Sequence, residues 1–430
     1  MNKISVFLDK LETHFPQSYR FICFLVNKCV SQKEDLFFYP HQNCRNDNYD
    51  IFNVESDNVL VLLKHALFDP ELKQRKIHIV YYHPEKLEQY QKYCKEVANI
   101  DADFVLYEDN YHFLRAFFSS KIIFTDNFYV NFEYKTNQQF SICLGYYAAP
   151  FKDDYYKIED FGEKRQREDR SINASYDYHI TSSDLSSRLI SLDSLIYFQK
   201  FRALGMPRND VFFKDNRELR SKLLEILGVT AKHIFLYVPT HRDYENVSRK
   251  YFDKKMAQKR GLWGNVNDED EDRLNSMLEN NDAIVIAKVH PAQAKIICES
   301  NTMNRVFLYS EIVKRLPTNL NALMAVSDYM ISDYTTAAYD FLCTDKPLIY
   351  YFYDIQKYLG TRGFSFNPID PYCPGDIVYD IYGLIDAMNG VMNGDDNHAS
   401  ERKYLKKIIF KDCDGYSTER IISFTKNLIS

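Results

Sequence analysis

A short β-rich run passes directly into polar residues in the segment Tyr329-Met330-Ile331-Ser332-Asp333-Tyr334-Thr335-Thr336. A helical stretch, Ala337 to Leu342, follows it at once. The β-rich run of this segment is Tyr329 to Ser332. Two earlier segments, Ile234 to Arg242 with the run Ile234 to Val238, and Ala283 to His290, likewise begin with an apolar run and end in polar or cationic residues. Short β-rich runs that alternate with helical stretches are typical of parallel sheets with crossover helices. The sequence therefore predicts an α/β fold in this half of the chain.

The first half of the chain shows the same alternation of β-rich runs and helical stretches. Its runs are Ile77 to Tyr82, Phe104 to Tyr107, Lys121 to Thr125 and Phe140 to Leu144. Gly and Pro interrupt a helical run at Gly205-Met206-Pro207-Arg208-Asn209-Asp210, and we place a domain boundary there. The prediction is two successive Rossmann-like domains, residues 1–204 and 205–430, with C-terminal helices that pack back.

Composition excludes several classes of protein. The chain has 430 residues and a formal net charge of -6, which argues against a nucleic-acid binder held by phosphate neutralisation. Nine cysteines without a C-x-x-C pair indicate reduced thiols and a cytosolic protein. The longest N-terminal apolar run, Phe21 to Val26, is too short to cross a bilayer. Neither G-x-x-x-x-G-K-[ST] nor G-x-G-x-x-G is present, which argues against the common nucleotide hydrolases and dinucleotide dehydrogenases.

Ligands of open α/β sheets bind outside the carboxyl ends of the strands, so the three polar segments are expected to face one site. Thr335 and Thr336 would place hydroxyls beside the N–H groups at a helix start, which favours a phosphate. Arg242, Lys288 and His290 would supply the cations that a diphosphate needs. Each feature alone also has a structural explanation, because Thr pairs cap helices and strand-end cations pair with carboxylates.

The acidic run Asp268 to Asp272 contains D-x-D spacings that suit a hard cation. It precedes a helical run, so we interpret it as the solvated first turn of a helix. We therefore predict no metal and no cofactor.

In their order and spacing, these segments resemble the CDP-glycerol glycerophosphotransferase family, which builds teichoic acids and related capsular polymers in bacteria. The resemblance rests on Gly205 to Asp210, Tyr237 to Arg242, Lys288 to Pro291, Ser327 to Thr336 with Asp340, Lys346-Pro347, Tyr353-Asp354, Tyr358, Arg362-Gly363 and Pro374-Gly375, with a fainter match from Ser119 to Lys152. It implies a GT-B architecture, in which two Rossmann-like domains face each other across a cleft, the first on the acceptor side and the second holding the donor.

The resemblance implies transfer of an alcohol phosphate from a CDP-linked donor to a hydroxyl of a polymer, with release of CMP. The acceptor would be a polymer or a lipid-linked polyol phosphate or glycan. The enzyme would be cytoplasmic, with peripheral contact to the inner face of the bacterial membrane and no nucleic-acid partner. The donor diphosphate and nucleotide would contact Arg242, Lys288, Asp333, Thr335, Thr336 and Arg362, with His290 on the CMP side as a catalytic residue.

One position departs from the family pattern. The family carries a His, regarded as the catalytic base, in a Trp-His-Gly-x-Pro-Leu-Lys segment, and Tyr147 stands at that position here. A phenol, with a pKa near ~10, is a weak base at neutral pH, so Asp126, Asp153 and Asp154 are alternative bases. Lys152 remains as a contact for a donor or acceptor phosphate.

Two other functions stay open at this point. The first is a GT-B glycosyltransferase that uses a CMP-linked or other nucleotide-activated sugar, because fold alone does not choose function. The second, motivated by Tyr147, is a catalytically degenerate homologue that only binds a nucleotide or a polymer.

Overall fold

The computed structural model describes residues 16–30, 34–40, 57–126, 135–145, 148, 175–194, 196–240, 261–264, 266–289, 303–361 and 363–430. Within these ranges the chain divides into two compact units. The first unit contains residues 16–145, 175–210 and 411–430, and the second contains residues 148 and 211–410. Each unit is built around one β-sheet, and all the strand pairs described are parallel.

The sheet of the first unit has seven strands in the order β3-β2-β1-β4-β5-β6-β7. They are β1 (Asp35–Tyr39), β2 (Ile77–Tyr81), β3 (Asp103–Leu106), β4 (Ser120–Thr125), β5 (Phe140–Cys143), β6 (Tyr178–Thr181) and β7 (Phe201–Ala203). Leu36 and Phe38 of β1 join one apolar core, and Phe37 and Tyr39 join another. Since successive side chains of a strand point to opposite faces, this sheet is covered on both sides.

The sheet of the second unit has six strands in the order β10-β9-β8-β11-β12-β13. They are β8 (His233–Val238), β9 (Ala283–Ala287), β10 (Val306–Leu308), β11 (Tyr329–Ser332), β12 (Leu348–Tyr351) and β13 (Asp376–Val378). The residues of β8 after His233 and all of β9 are buried, as expected for central strands of a parallel sheet.

Fourteen α-helices are present in the described ranges. They are α1 (Pro16–Cys29), α2 (Asn58–Phe68), α3 (Leu87–Lys92), α4 (Asn110–Ser119), α5 (Asp184–Ser194), α6 (Arg217–Leu227), α7 (Asp268–Asn280), α8 (Tyr309–Ile312), α9 (Leu320–Val326), α10 (Ala337–Phe341), α11 (Ile355–Thr361), α12 (Ile381–Met392), α13 (Ala399–Ile409) and α14 (Ser417–Ile429). Local signals explain several boundaries, because the side chains of Asp57, Asn267 and Asp380 cap α2, α7 and α12.

The segment from Gly205 to Asp210 holds the last helix on the first unit. Asp210 accepts hydrogen bonds from the backbone N–H groups of Ser417 (3.0 Å) and Thr418 (2.8 Å) and from the Thr418 hydroxyl (2.6 Å). Gly205 has a φ of +96°, and a Cβ there would clash with Ser417 Oγ. Gly205 and Asp210 of this segment therefore hold the first turn of α14 in place.

The predicted α/β class with two Rossmann-like sheets is confirmed. The contacts among the described residues divide the chain differently from the predicted domain ranges. The first unit continues through Asp210 and also contains residues 411–430. The physical reason is the Asp210 carboxylate, which satisfies the first N–H groups of α14, a helix far away in sequence.

Candidate active site

The strand order of the second sheet creates a crevice between β8 and β11. The chain leaves β8 toward β9 and β10 on one side and later returns to β11 on the other. Ligands of such sheets bind at the carboxyl edge where the strand order reverses. Thr240 follows β8 and Asp333 follows β11, so both lie at this edge.

Asp333 joins these two strand ends. Its Oδ1 accepts the Thr240 N–H (2.9 Å) and hydroxyl (2.7 Å), and its Oδ2 lies 2.8 Å from the same N–H. The side chain is fully buried. We predicted a donor contact for Asp333, and these bonds show it holding the loop after β8 against the turn after β11.

Lys288 follows β9, the neighbour of β8 on the other side. Its backbone N–H donates to the carbonyl of Tyr237 in β8 at 2.8 Å, which continues the pairing of the two strands beyond the end of β9. The side chain is half-buried, and burial lowers the pKa of its ammonium group. The structure therefore brings the predicted cation to the edge where Thr240 and Asp333 meet.

Thr335 and Thr336 form the turn between Asp333 and α10, as the sequence predicted. Thr335 Oγ1 accepts the N–H of Ala337 at 3.3 Å, so this hydroxyl helps to begin the helix. The Thr336 side chain makes no capping bond within the described residues, and both threonines are half-buried. A hydroxyl that accepts a hydrogen bond keeps its own O–H for donation, so both threonines stay candidates to donate to a ligand.

An aromatic cluster, for which the sequence predicted no role, supports this turn. Tyr334 is fully buried, and its ring stacks on that of Tyr358 with 3.8 Å between centroids. The Tyr334 hydroxyl donates to Asp354 Oδ1 at 2.9 Å. Asp354 and Tyr358 are four residues apart at the start of α11, and residues with this spacing share one face of a helix. This spacing could have predicted that both side chains contact the same partner.

The other predicted site residues lie outside the described residues. They are Arg242, His290 and Arg362 of the predicted donor site, Tyr147 and Lys152 of the first half of the chain, and the alternative bases Asp153 and Asp154. Their roles stay predictions.

The acidic run from Asp268 to Asp272 opens α7, as we interpreted it. Asn267 caps this helix by accepting the Asp270 N–H at 2.9 Å. Among the described residues, His, Cys, Asp and Glu side chains form no group of three or more that suits a metal ion.

Comparison with known proteins identifies the family. The sequence profile described as CDP-glycerol:poly(glycerophosphate) glycerophosphotransferase matches residues 49–426. The chain belongs to this family. The predicted enzyme class, a transferase that moves an alcohol phosphate from a CDP-linked donor to a polymer, is confirmed with it.

Relatives of this chain include enzymes that start and enzymes that extend teichoic acids. The teichoic acid glycerol-phosphate primase of Bacillus subtilis (strain 168) is 24% identical over 373 residues, which cover 83% of this chain and 86% of the primase. The ribitol-phosphate polymerase TarL of Staphylococcus aureus is 28% identical over 224 residues, which cover 51% of this chain and 35% of TarL.

Solved structures of the wall teichoic acid polymerase TagF share the fold. One has a TM-score of 0.73 at 19% identity and covers 99% of this chain and 96% of its own. Another, of a variant with CDPG, has a TM-score of 0.73 at 20% identity and covers 95% and 93%. The predicted GT-B type of fold is confirmed by this likeness.

Proposed function

We propose that this enzyme transfers glycerol phosphate from CDP-glycerol to a hydroxyl of a lipid-linked or polymeric teichoic-acid-like acceptor. The observation that carries the proposal is the set of hydrogen bonds from Thr240 to Asp333, which joins two strand ends at the carboxyl edge of the second sheet. Lys288 and Thr336 lie at the same edge. The choice of glycerol is supported by the primase alignment, which extends over most of both chains.

The chemistry suits such an edge. The acceptor oxygen forms a bond to the phosphorus that carries the glycerol, and the bond from that phosphorus to the bridging oxygen breaks with release of CMP. Charge spreads over the phosphoryl oxygens in the transition state, so alignment and cationic stabilisation supply most of the catalysis. In this proposal the diphosphate is stabilised by Lys288, Thr335, Thr336, Arg242 and Arg362, and His290 acts on the CMP side.

A donor panel tests the proposed function. Purified protein is incubated with CDP-glycerol, CDP-ribitol or CMP-sialic acid, each with polyol-phosphate and glycan acceptors and with EDTA, and the products are read by mass. We expect glycerol-phosphate increments that persist in EDTA, because the proposal assigns no step to a metal. A ribitol-phosphate increment would change the alcohol, a sugar increment would identify a glycosyltransferase, and CMP binding without turnover would identify a degenerate homologue.

Lys288→Gln is expected to weaken CDP binding about 10- to 100-fold, because a charge-assisted hydrogen bond contributes about 1.5–3 kcal/mol. Lys222→Gln on the exposed surface of α6 is the matched control, since Lys222 pairs with Glu218 on its own helix. Isothermal titration calorimetry with CDP measures both. Equal CDP affinities for the two variants would show that Lys288 does not bind the donor.

We also propose that α1 places the enzyme on an anionic membrane surface, where a lipid-linked acceptor would lie. Phe21, Phe24 and Leu25 are 61%, 53% and 44% exposed, and Lys28 lies 5.4 Å from the centre of the Phe24 ring. An exposed apolar face beside a basic residue is typical of helices that lie in the membrane interface. In the part of the chain that the structure describes, no helix has the length and apolarity to span a bilayer.

The double variant Phe21→Ser/Phe24→Ser is expected to reduce sedimentation with phosphatidylglycerol vesicles about tenfold or more, because two exposed aromatic side chains no longer enter the interface. Leu192→Ser is the matched control, since Leu192 is 74% exposed on α5. Vesicle binding by the double variant equal to that of the control would exclude α1 as the contact.

A further inference from the structure

The first sheet also has a crevice at the carboxyl ends of its strands, and the carboxylate of Asp126 lies there. The chain passes from β1 to β2 and β3 on one side and returns to β4 on the other, so the strand order reverses between β1 and β4. Asp126 directly follows β4, at the carboxyl edge where ligands of such sheets bind.

Only one of the two Asp126 carboxylate oxygens has a hydrogen-bond partner in the part of the chain that the structure describes. Oδ2 accepts the N–H of Val59 in the first turn of α2 at 2.8 Å. Oδ1 is buried and has no hydrogen-bond partner among the described residues, and the whole residue is only 5% exposed. A buried carboxylate oxygen without a partner costs free energy, so its retention calls for a ligand or a reaction.

Capping α2 does not explain the position of Asp126. Asp57 Oδ1 already accepts the same Val59 N–H at 3.0 Å, as the N-cap residue of this helix. The second sheet offers a direct comparison, because Asp333 follows the strand that corresponds to β4 and uses both of its oxygens on Thr240. At equivalent positions, the carboxylate after β11 thus accepts hydrogen bonds with both oxygens, whereas the carboxylate after β4 accepts with one oxygen among the described residues.

The surroundings of Asp126 are held in place. Asn58 donates to the Leu144 carbonyl at 2.7 Å and accepts the Arg208 N–H at 3.0 Å. The Leu144 N–H donates to the Thr125 carbonyl at 2.8 Å, so the residue after β5 is held against the end of β4, next to Asp126. A fixed frame of this kind is what a reacting group requires.

We propose that Asp126 is the catalytic base, and that its Oδ1 takes the proton of the acceptor hydroxyl. This inference rests on the proposed function. The acceptor O–H bond breaks as its oxygen bonds to phosphorus, the proton moves to Oδ1, and CMP leaves with the electron pair of the broken P–O bond. A carboxylate suffices for this step, because a loose phosphoryl transition state needs the proton removed late.

Asp126→Asn tests the assignment, because an amide still accepts the Val59 N–H but does not take up the proton. We expect turnover of CDP-glycerol to fall about 10²- to 10⁴-fold. The Kd for CMP and the melting temperature should match the wild type. In the wild type the rate should fall with pH on the acidic side as the carboxylate protonates, and in Asp126→Asn that acidic limb should be absent. Asp57→Asn, which keeps a capping side chain on the same N–H, should retain wild-type turnover.

Three results would overturn the inference. Turnover by Asp126→Asn within a few-fold of the wild type would show that this carboxylate is not the base. Loss of activity together with a lower melting temperature and an unchanged pH profile would show a structural role. A wild-type enzyme that transfers from no CDP-alcohol would refute the proposed function and this inference with it, which separates that failure from the other two.

Discussion

Asp210→Ala is expected to lower the free energy of unfolding of the first unit by about 3–5 kcal/mol. Asp210 is buried and accepts two backbone N–H groups and one hydroxyl at the start of α14. Alanine leaves all three donors without an acceptor, at about 1–3 kcal/mol each before relaxation. The N-cap residue of this helix, Tyr416, makes no side-chain capping bond, so no local group takes over.

Urea denaturation measures this loss, and hydrogen exchange locates it. Peptides from residues 417–429 should lose protection in Asp210→Ala, while peptides from α7 in the second unit should keep it. Asp215→Ala is the control, because Asp215 pairs with Arg217 at the exposed surface and its removal should leave the transition where it is. Unchanged protection of α14 in Asp210→Ala would contradict the role we assign to this carboxylate.

His78→Gln is expected to destabilise the protein by about 3–5 kcal/mol near pH 5.5, the usual cost of breaking a buried ion pair. His78 is 3% exposed, and its ring lies between two carboxylates, with Nδ1 2.6 Å from Asp103 and Nε2 3.2 Å from Asp35. His112 contacts Asp103 from α4 at 3.0 Å, beside a cavity of about 490 Å³.

The pKa shifts give the pH dependence of this effect. Burial alone lowers the pKa of His78, but the hydrogen bonds and charges of Asp103 and Asp35 outweigh it, so the pKa is raised. Burial alone raises the pKa of Asp103, but its bonds to His112 and His78 outweigh it, so the pKa is lowered. A raised His pKa stabilises the fold below about pH 6.5 and ceases to do so as the pH rises through the folded value.

The depressed Asp103 pKa contributes stability above about pH 4 and loses it as the pH falls toward the folded value. Both contributions are therefore complete between about pH 4 and 6.5. The difference in unfolding free energy between the wild type and His78→Gln should be largest there and should shrink toward pH 9.

The control for this experiment is His398→Gln. His398 lies 3.3 Å from Asp376 in a partly exposed pair, and its loss should cost less than about 1 kcal/mol. Urea titrations of both variants from pH 5 to 9 make the comparison. A cost at His78 that does not change with pH would show that the ring is neutral and only fills space.

The strands of the second sheet were predictable because central parallel strands are short apolar runs. The run Tyr329 to Ser332 was predicted with the bounds that the structure has, and the predicted run Ile234 to Val238 gains one residue, His233. The strands β1, β6, β7 and β13 were not predicted. β13 is only partly buried and lacks a clean apolar run, whereas Leu36 to Tyr39 of β1 is a short buried apolar run that the prediction missed.

The candidate site was predicted in part for the same reason. Lys288 and Asp333 were selected because they directly follow strands, and Thr336 because it precedes the helix that comes after β11. Parallel strands bring such residues to one edge, and their contacts with a donor stay predictions. The pairing of Asp333 with Thr240 and the stacking of Tyr334 on Tyr358 were not predicted, because they join residues that are distant in the chain.

The amino-acid sequence by itself determined the α/β class, the order of the polar strand ends and the family, because these depend on local apolar runs and on motif spacing. Only the tertiary structure decided which carboxylates accept hydrogen bonds with both of their oxygens. Asp333, Asp210 and Asp126 each look like a polar residue in a turn, yet the first two have both oxygens hydrogen-bonded, and the third has one oxygen without a partner among the described residues. That difference arises from donors brought together by folding, Thr240, Thr418 and Val59, whose distance in sequence hides the contact until the sheets and helices have packed.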